Sequence, residues 1–185
     1  MKKNGLFLAL LFVCGVAAAQ TPTFEKGDKV LNLGIGFGGN YYSSYSSGYS
    51  KTPFLSASLD VGVVDGVFDK GTIGVGGYIG FSSSKWESGN YGWKETDLII
   101  GPRGTLNYPL VEKLDTYAGI LLAYHSVTWK ETGNQTYLGY GGGSSGIYFS
   151  GFIGARYYFS NNFGVMLELG SGGLALASLG VTLKL

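Results

Sequence analysis

From Val30 onward the chain returns to one device: apolar residues on every second position, with glycine, serine or single polar residues between them. Leu31, Leu33, Ile35 and Phe37 alternate with Asn32, Gly34 and Gly36, and Ile73, Val75, Ile79 and Phe81 with Gly74, Gly76, Tyr78 and Gly80. The same holds for Phe163, Val165, Leu167 and Leu169, and for Ala177, Leu179, Val181, Leu183 and Leu185. Successive side chains of a strand point to opposite faces, so each run writes one apolar face and one small or polar face. In a soluble sheet the second face meets water and carries Lys, Glu and Thr in quantity. Here it is mostly Gly and Ser, which suits the crowded interior of a narrow barrel whose apolar exterior meets lipid. A soluble periplasmic β-domain is the competing fold, and it would need an oddly glycine-rich surface.

The N-terminus predicts export. Lys2 and Lys3 precede the apolar run Leu6 to Val13, and Ala17-Ala18-Ala19 before Gln20 has the form of a small-residue cleavage site, so residues 1–19 read as a secretory signal peptide. Its apolar core is shorter than the roughly 18 residues of a spanning helix. Cys14 raises lipidation as a second processing route, but Val13 is bulkier than the residue such a site favours. Residues 20–185 then form one domain, and the formal charge of +1 falls to −1 once Lys2 and Lys3 leave. Nothing basic is concentrated enough to predict nucleic-acid binding. With Cys14 in the signal, the exported chain has no disulfide.

Eight strands are expected, near 29–38, 54–63, 72–82, 96–107, 115–128, 147–159, 163–171 and 174–185. Each meets or exceeds the roughly nine to eleven residues that a tilted strand needs to cross the hydrocarbon. Long polar connections (39–53, 83–95, 129–146) alternate with short ones (64–71, 109–114, 160–162), as in outer-membrane barrels with long external loops and short periplasmic turns. Aromatic residues crowd the strand ends. Tyr108, Tyr157, Phe159 and Phe163 flank the short turns, while Phe54, Trp86, Tyr124 and Trp129 lie near the long loops, so two girdles at headgroup level are expected.

The signal, the alternating strands, the run Gly154-Ala155-Arg156-Tyr157-Tyr158-Phe159, the Asn161-Asn162 turn and the following Glu168-Leu169-Gly170 resemble the small outer-membrane β-barrels of Gram-negative bacteria, the OmpX/OmpA-like group. The resemblance covers essentially the whole mature chain. It implies an all-β, eight-stranded, antiparallel, up-and-down transmembrane barrel in the outer membrane. It also implies insertion by the assembly machinery that reads the last strand. Family members commonly end in an aromatic residue, whereas this chain ends in Leu185.

Strand parity turns Asp60, Arg103, Arg156, Glu168 and Lys184 into the lumen, since Arg or Lys on the lipid face costs on the order of 2–4 kcal/mol at the midplane. Contacts Arg156–Glu168 and Arg103–Asp60 are expected to plug the interior; a selective ion path lined by these charges is the alternative. His125, the single histidine, precedes Ser126, and adjacent strand residues face opposite ways, so the two do not form a base and a nucleophile. No cofactor or metal is expected, and lipid-directed catalysis ranks behind a narrow solute channel and a structural or surface-interaction role. The external loops carry Tyr41, Tyr42, Tyr45, Tyr49, Tyr91, Trp93, Tyr137 and Tyr140 among serines and glycines, side chains suited to a surface glycan, a protein or neighbouring lipopolysaccharide. A monomer is expected, with lipid as its surroundings.

Overall fold

The computed structural model describes residues 23–38, 49–89, 91–132, 142–170 and 174–185. The signal segment and Tyr41, Tyr42, Tyr45, Tyr137 and Tyr140 lie outside the described residues. The strands are β1 (Lys29–Phe37), β2 (Tyr49–Lys51), β3 (Phe54–Val67), β4 (Gly71–Ser88), β5 (Tyr91–Val111), β6 (Leu114–Glu131), β7 (Gly142–Tyr158), β8 (Phe163–Leu169) and β9 (Ala177–Lys184). Eight of them pair antiparallel with their neighbours in chain order, and β1 closes the ring on β9, from Val30↔Lys184 to Phe37↔Ala177. The short β2 continues the line of β3 beyond a break at Thr52-Pro53 and pairs with β4.

Alternation explains which way each strand faces. Leu33, Ile35, Phe37, Leu55, Leu59, Ile79, Phe81, Leu98, Ile100, Ile120, Leu122, Leu167 and Leu179 stand exposed around the ring, an apolar belt of the kind that lipid covers. The inward glycines make room for large inward partners. A Cβ on Gly80 would lie 2.3 Å from the Phe54 ring, on Gly119 2.4 Å from Phe152, and on Gly154 2.3 Å from Tyr117. Small positions therefore stand opposite large ones, as filling a narrow barrel requires.

The ring is uneven in height. β5 has 21 residues and β4 and β6 have 18 each, against 7 in β8 and 8 in β9. Roughly ten residues of β5 exceed the span of the membrane, on the order of 30 Å of strand. Segments 83–88, 91–95 and 129–131, expected as loops, thus belong to strands that build a wall at the end opposite the termini. Tyr91 and Trp93 are strand residues of that wall, and Tyr49 begins β2.

Both ends of the lumen are entered by the chain itself. At the end bearing the termini, Phe24 is buried and Gly27 N–H donates to Gly62 carbonyl at 2.9 Å. At the other end Leu174 and Ala175, expected in the last strand, tuck inside against the cluster of Phe54, Ile99, Leu121 and Phe152 before β9 begins.

Candidate functional site

Two arginines organise the lumen. Arg156 on β7 donates from Nη2 to Asp60, from Nη1 to Asp115 Oδ2 (2.8 Å) and Asn107 Oδ1 (3.2 Å), and from Nε to Asn32 Oδ1 (3.1 Å). Arg103 on β5 reaches Asp60 Oδ1 at 3.1 Å and Glu168 Oε2 at 2.9 Å. Tyr117 lies between them. Its ring centroid is 4.2 Å from the Arg156 guanidinium and 5.9 Å from that of Arg103, and its hydroxyl donates to Glu168 at 2.9 Å. Five of these charged groups, Asp60, Arg103, Asp115, Arg156 and Glu168, are at most 4 % exposed. Such groups are tolerated only when paired; here the partners come from six strands, and Arg103 Nε meets Asp60 Oδ1 as an ion pair without hydrogen-bond geometry.

Two expectations are corrected. Glu168 does not meet Arg156, because it stands opposite Gly154 while Arg156 stands opposite Met166, which lifts the carboxylate to the level of Arg103. Lys184 has inward parity but sits at the mouth near the termini, 2.6 Å from Asp28 and partly exposed, away from the two arginines. Asp115 is an addition: it directly opposes Arg156 on the neighbouring strand. Its place beside the Glu112-Lys113 turn hid it, although parity counted from Arg103 would have found Asn107 and Asp97.

The aromatic residues divide. Tyr157, Phe159 and Phe163 stand exposed in sequence at the end bearing the termini, with ring centroids 5.5 and 6.4 Å apart, and Tyr108 lies on the outer face near that end. Tyr124 faces outward at 52 % exposure near the opposite edge of the belt. Trp129 is not a lipid-facing residue. It shares odd parity with His125, and its Nε1 donates to Glu95 Oε2 at 2.8 Å on the inner face of the wall. Trp86 lies on that face too, and Phe54 is buried inside the barrel.

The wall has two distinct faces. Cross-strand pairing aligns Ser83, Thr96 and Thr128, then Lys85, Lys94 and Lys130, on the outer face just above the apolar belt. On the inner face it aligns Ser82, Asp97 and Val127, then Ser84, Glu95 and Trp129, then Trp86, Trp93 and Glu131. His125 Nε2 lies 3.0 Å from Asp97 Oδ1, and Ser82 Oγ lies 3.4 Å from Asp97 Oδ2. A catalytic triad needs the histidine between serine and acid. Here the acid is in the middle, and Ser126 stands on the opposite face.

No protein-family model matches the chain, and no curated protein does. Among solved structures it is similar to Ail, the attachment invasion locus protein of Yersinia pestis, in complex with the heparin analogue sucrose octasulfate. The identity is 9 %, 86 % of this chain and 96 % of that one are covered, and the TM-score is 0.52. The N-terminal β-barrel domain of Pseudomonas aeruginosa OprF aligns at 14 % identity over 87 % of this chain and 98 % of that one, with a TM-score of 0.44. The fold is that of the small eight-stranded outer-membrane barrels. In such a barrel the apolar belt is the lipid contact, and the projecting wall lies beyond the bilayer.

Proposed function

We propose that this chain is a monomeric, non-enzymatic outer-membrane protein that works through its external face, with its lumen closed to solutes. In this scheme residues 1–19 direct export, the assembly machinery inserts the barrel through its last strand, and the wall stands outside the cell. The lumen carries the proposal. Arg103 and Arg156 cross an interior that eight strands leave barely wide enough for side chains, and their bonds to carboxylates and amides of other strands support a filled lumen. Phe24 at one end and Leu174 and Ala175 at the other add to the closure.

The outer lysine row supports contact with lipopolysaccharide. Lys85, Lys94 and Lys130 are cross-strand neighbours, with Glu87 2.7 Å from Lys85, and like charges side by side are destabilising until an anion covers them. Phosphates of the outer leaflet lie at that height. Ail, bound to a heparin analogue, is a precedent for a barrel of this fold holding a carbohydrate ligand. The test is electrophoresis of the outer-membrane fraction with and without heating, followed by planar-bilayer recording. A heat-shifted band with no conductance step is expected; a stable step would replace the closed barrel with a channel, and a soluble, unshifted band would remove it from the membrane.

A further inference from the structure

All three tryptophans of the chain stand on the inner face of the wall, in two adjacent cross-strand rows. We propose that this face is a carbohydrate site for the terminal residues of a glycan that carries no sulfate, phosphate or carboxylate. The inference rests on the external-face function above and adds the ligand class. A sugar ring has two kinds of surface, apolar C–H faces and a rim of hydroxyls that donate and accept hydrogen bonds. The wall answers both. Trp86 and Trp93 are directly opposed, Trp93 is 46 % exposed, and the Trp129 indole is oriented by its bond to Glu95, so flat aromatic surface is presented on one face. Glu95 and Glu131 lie beside them as acceptors for hydroxyls, and Ser84 and Lys51 pair across β2 and β4 on the same face as donors. Below, His125 and Asp97 form a polar floor over Ile99 and Leu121.

Charge decides which sugars fit. The inner face presents Glu95 and Glu131 against Lys51, with Asp97 buried beneath them against His125 and Ser82, whereas the lysines of the same strands face outward. An anionic glycan meets an acidic surface here, and a neutral or amino sugar does not. The ligand therefore differs in class from the sulfated sugar bound to Ail. A cross-strand Trp86–Trp93 pair alone would serve to stiffen a hairpin. A third indole tethered to a carboxylate two residues further down, above the His125–Asp97 pair, fits a ligand platform.

With every tryptophan at the site, fluorescence excited selectively at tryptophan reports on it alone. The full mature chain, folded in a polyoxyethylene detergent so that no detergent headgroup is a sugar, is titrated with maltotriose, with chitotriose and with sucrose octasulfate. A saturable change with at least one neutral oligosaccharide and none with sucrose octasulfate is expected. Trp93→Ala, and separately Glu131→Gln, which leaves the indoles in place, should each weaken that binding about tenfold or more while the heat-shifted band persists. Absence of saturation by both neutral sugars, or unchanged binding in both variants, overturns the site. Saturation by sucrose octasulfate alone overturns it while leaving an external binding function standing. Loss of the heat shift in the unmodified chain removes that function and the site together.

Discussion

Replacing Arg156 with methionine tests whether the lumen is a dry, paired network. The side chain is fully buried and serves two carboxylates and two amide oxygens. Methionine keeps much of the volume and removes every donor. Asp60 retains Arg103 at 3.1 Å, but Asp115, with a side chain 1 % exposed, keeps no arginine. Stranding one member of a buried ion pair costs about 3–5 kcal/mol. That is roughly two to three and a half decades in the unfolding constant at about 1.4 kcal/mol per decade. Equilibrium urea unfolding in lipid vesicles, scored by the heat-shifted band, measures it. Adding Asp115→Asn to Arg156→Met removes the stranded charge and should restore about 2 kcal/mol or more. An Arg156→Met variant within about 1 kcal/mol of the unmodified protein, or a double variant no better than the single, would refute the paired network and point to a water-filled lumen.

Lys94→Glu should act in opposite directions in two assays: about 0.2–1 kcal/mol more stable in detergent, where the lysine row repels itself, and less strongly retained on vesicles containing lipopolysaccharide than on vesicles without it. A Cβ at Gly62 would lie 2.1 Å from the Glu25 carbonyl oxygen, so Gly62→Val should drive the N-terminal segment off the mouth and, by freeing the backbone around Lys26, speed tryptic cleavage there, with the heat shift kept. At the seam, a Cβ on Gly180 would come 1.9 Å from the Leu33 carbonyl oxygen, a backbone clash. Gly180→Val should therefore prevent β1 from pairing with β9 and abolish the heat-shifted band.

Eight strands and their facing were legible because lipid outside and crowding inside impose opposite residue types at a period of two. Beyond the bilayer that rule lapses. Lys85, Lys94 and Lys130 occupy outward positions where the belt has Phe81 and Leu98, so 83–95 looks like loop although the ladder runs on to Ser88 and Tyr91. Trp129 was misplaced for a related reason: nearness to a strand end suggests a girdle, and only parity with His125 shows that it faces inward. The inward charges were readable one by one. Their partners were not, because stagger between strands decides whether Glu168 meets Arg156 or Arg103, and stagger leaves no mark in a single sequence.

The six-strand network also bears on how the molecule comes into being. Asp60 on β3 serves arginines on β5 and β7, and Arg103 on β5 reaches across to Glu168 on β8. None of these distant pairs can be made by local hairpins alone. A β6–β7 hairpin alone pairs Asp115 with Arg156 but leaves Asp60, Arg103 and Glu168 uncompensated, so full charge neutralisation waits for the distant strands to come together. Burying a chain whose ring is still open would cost the desolvation of those unpaired charges, so the same ions that hold the finished lumen oppose entry into the bilayer before closure.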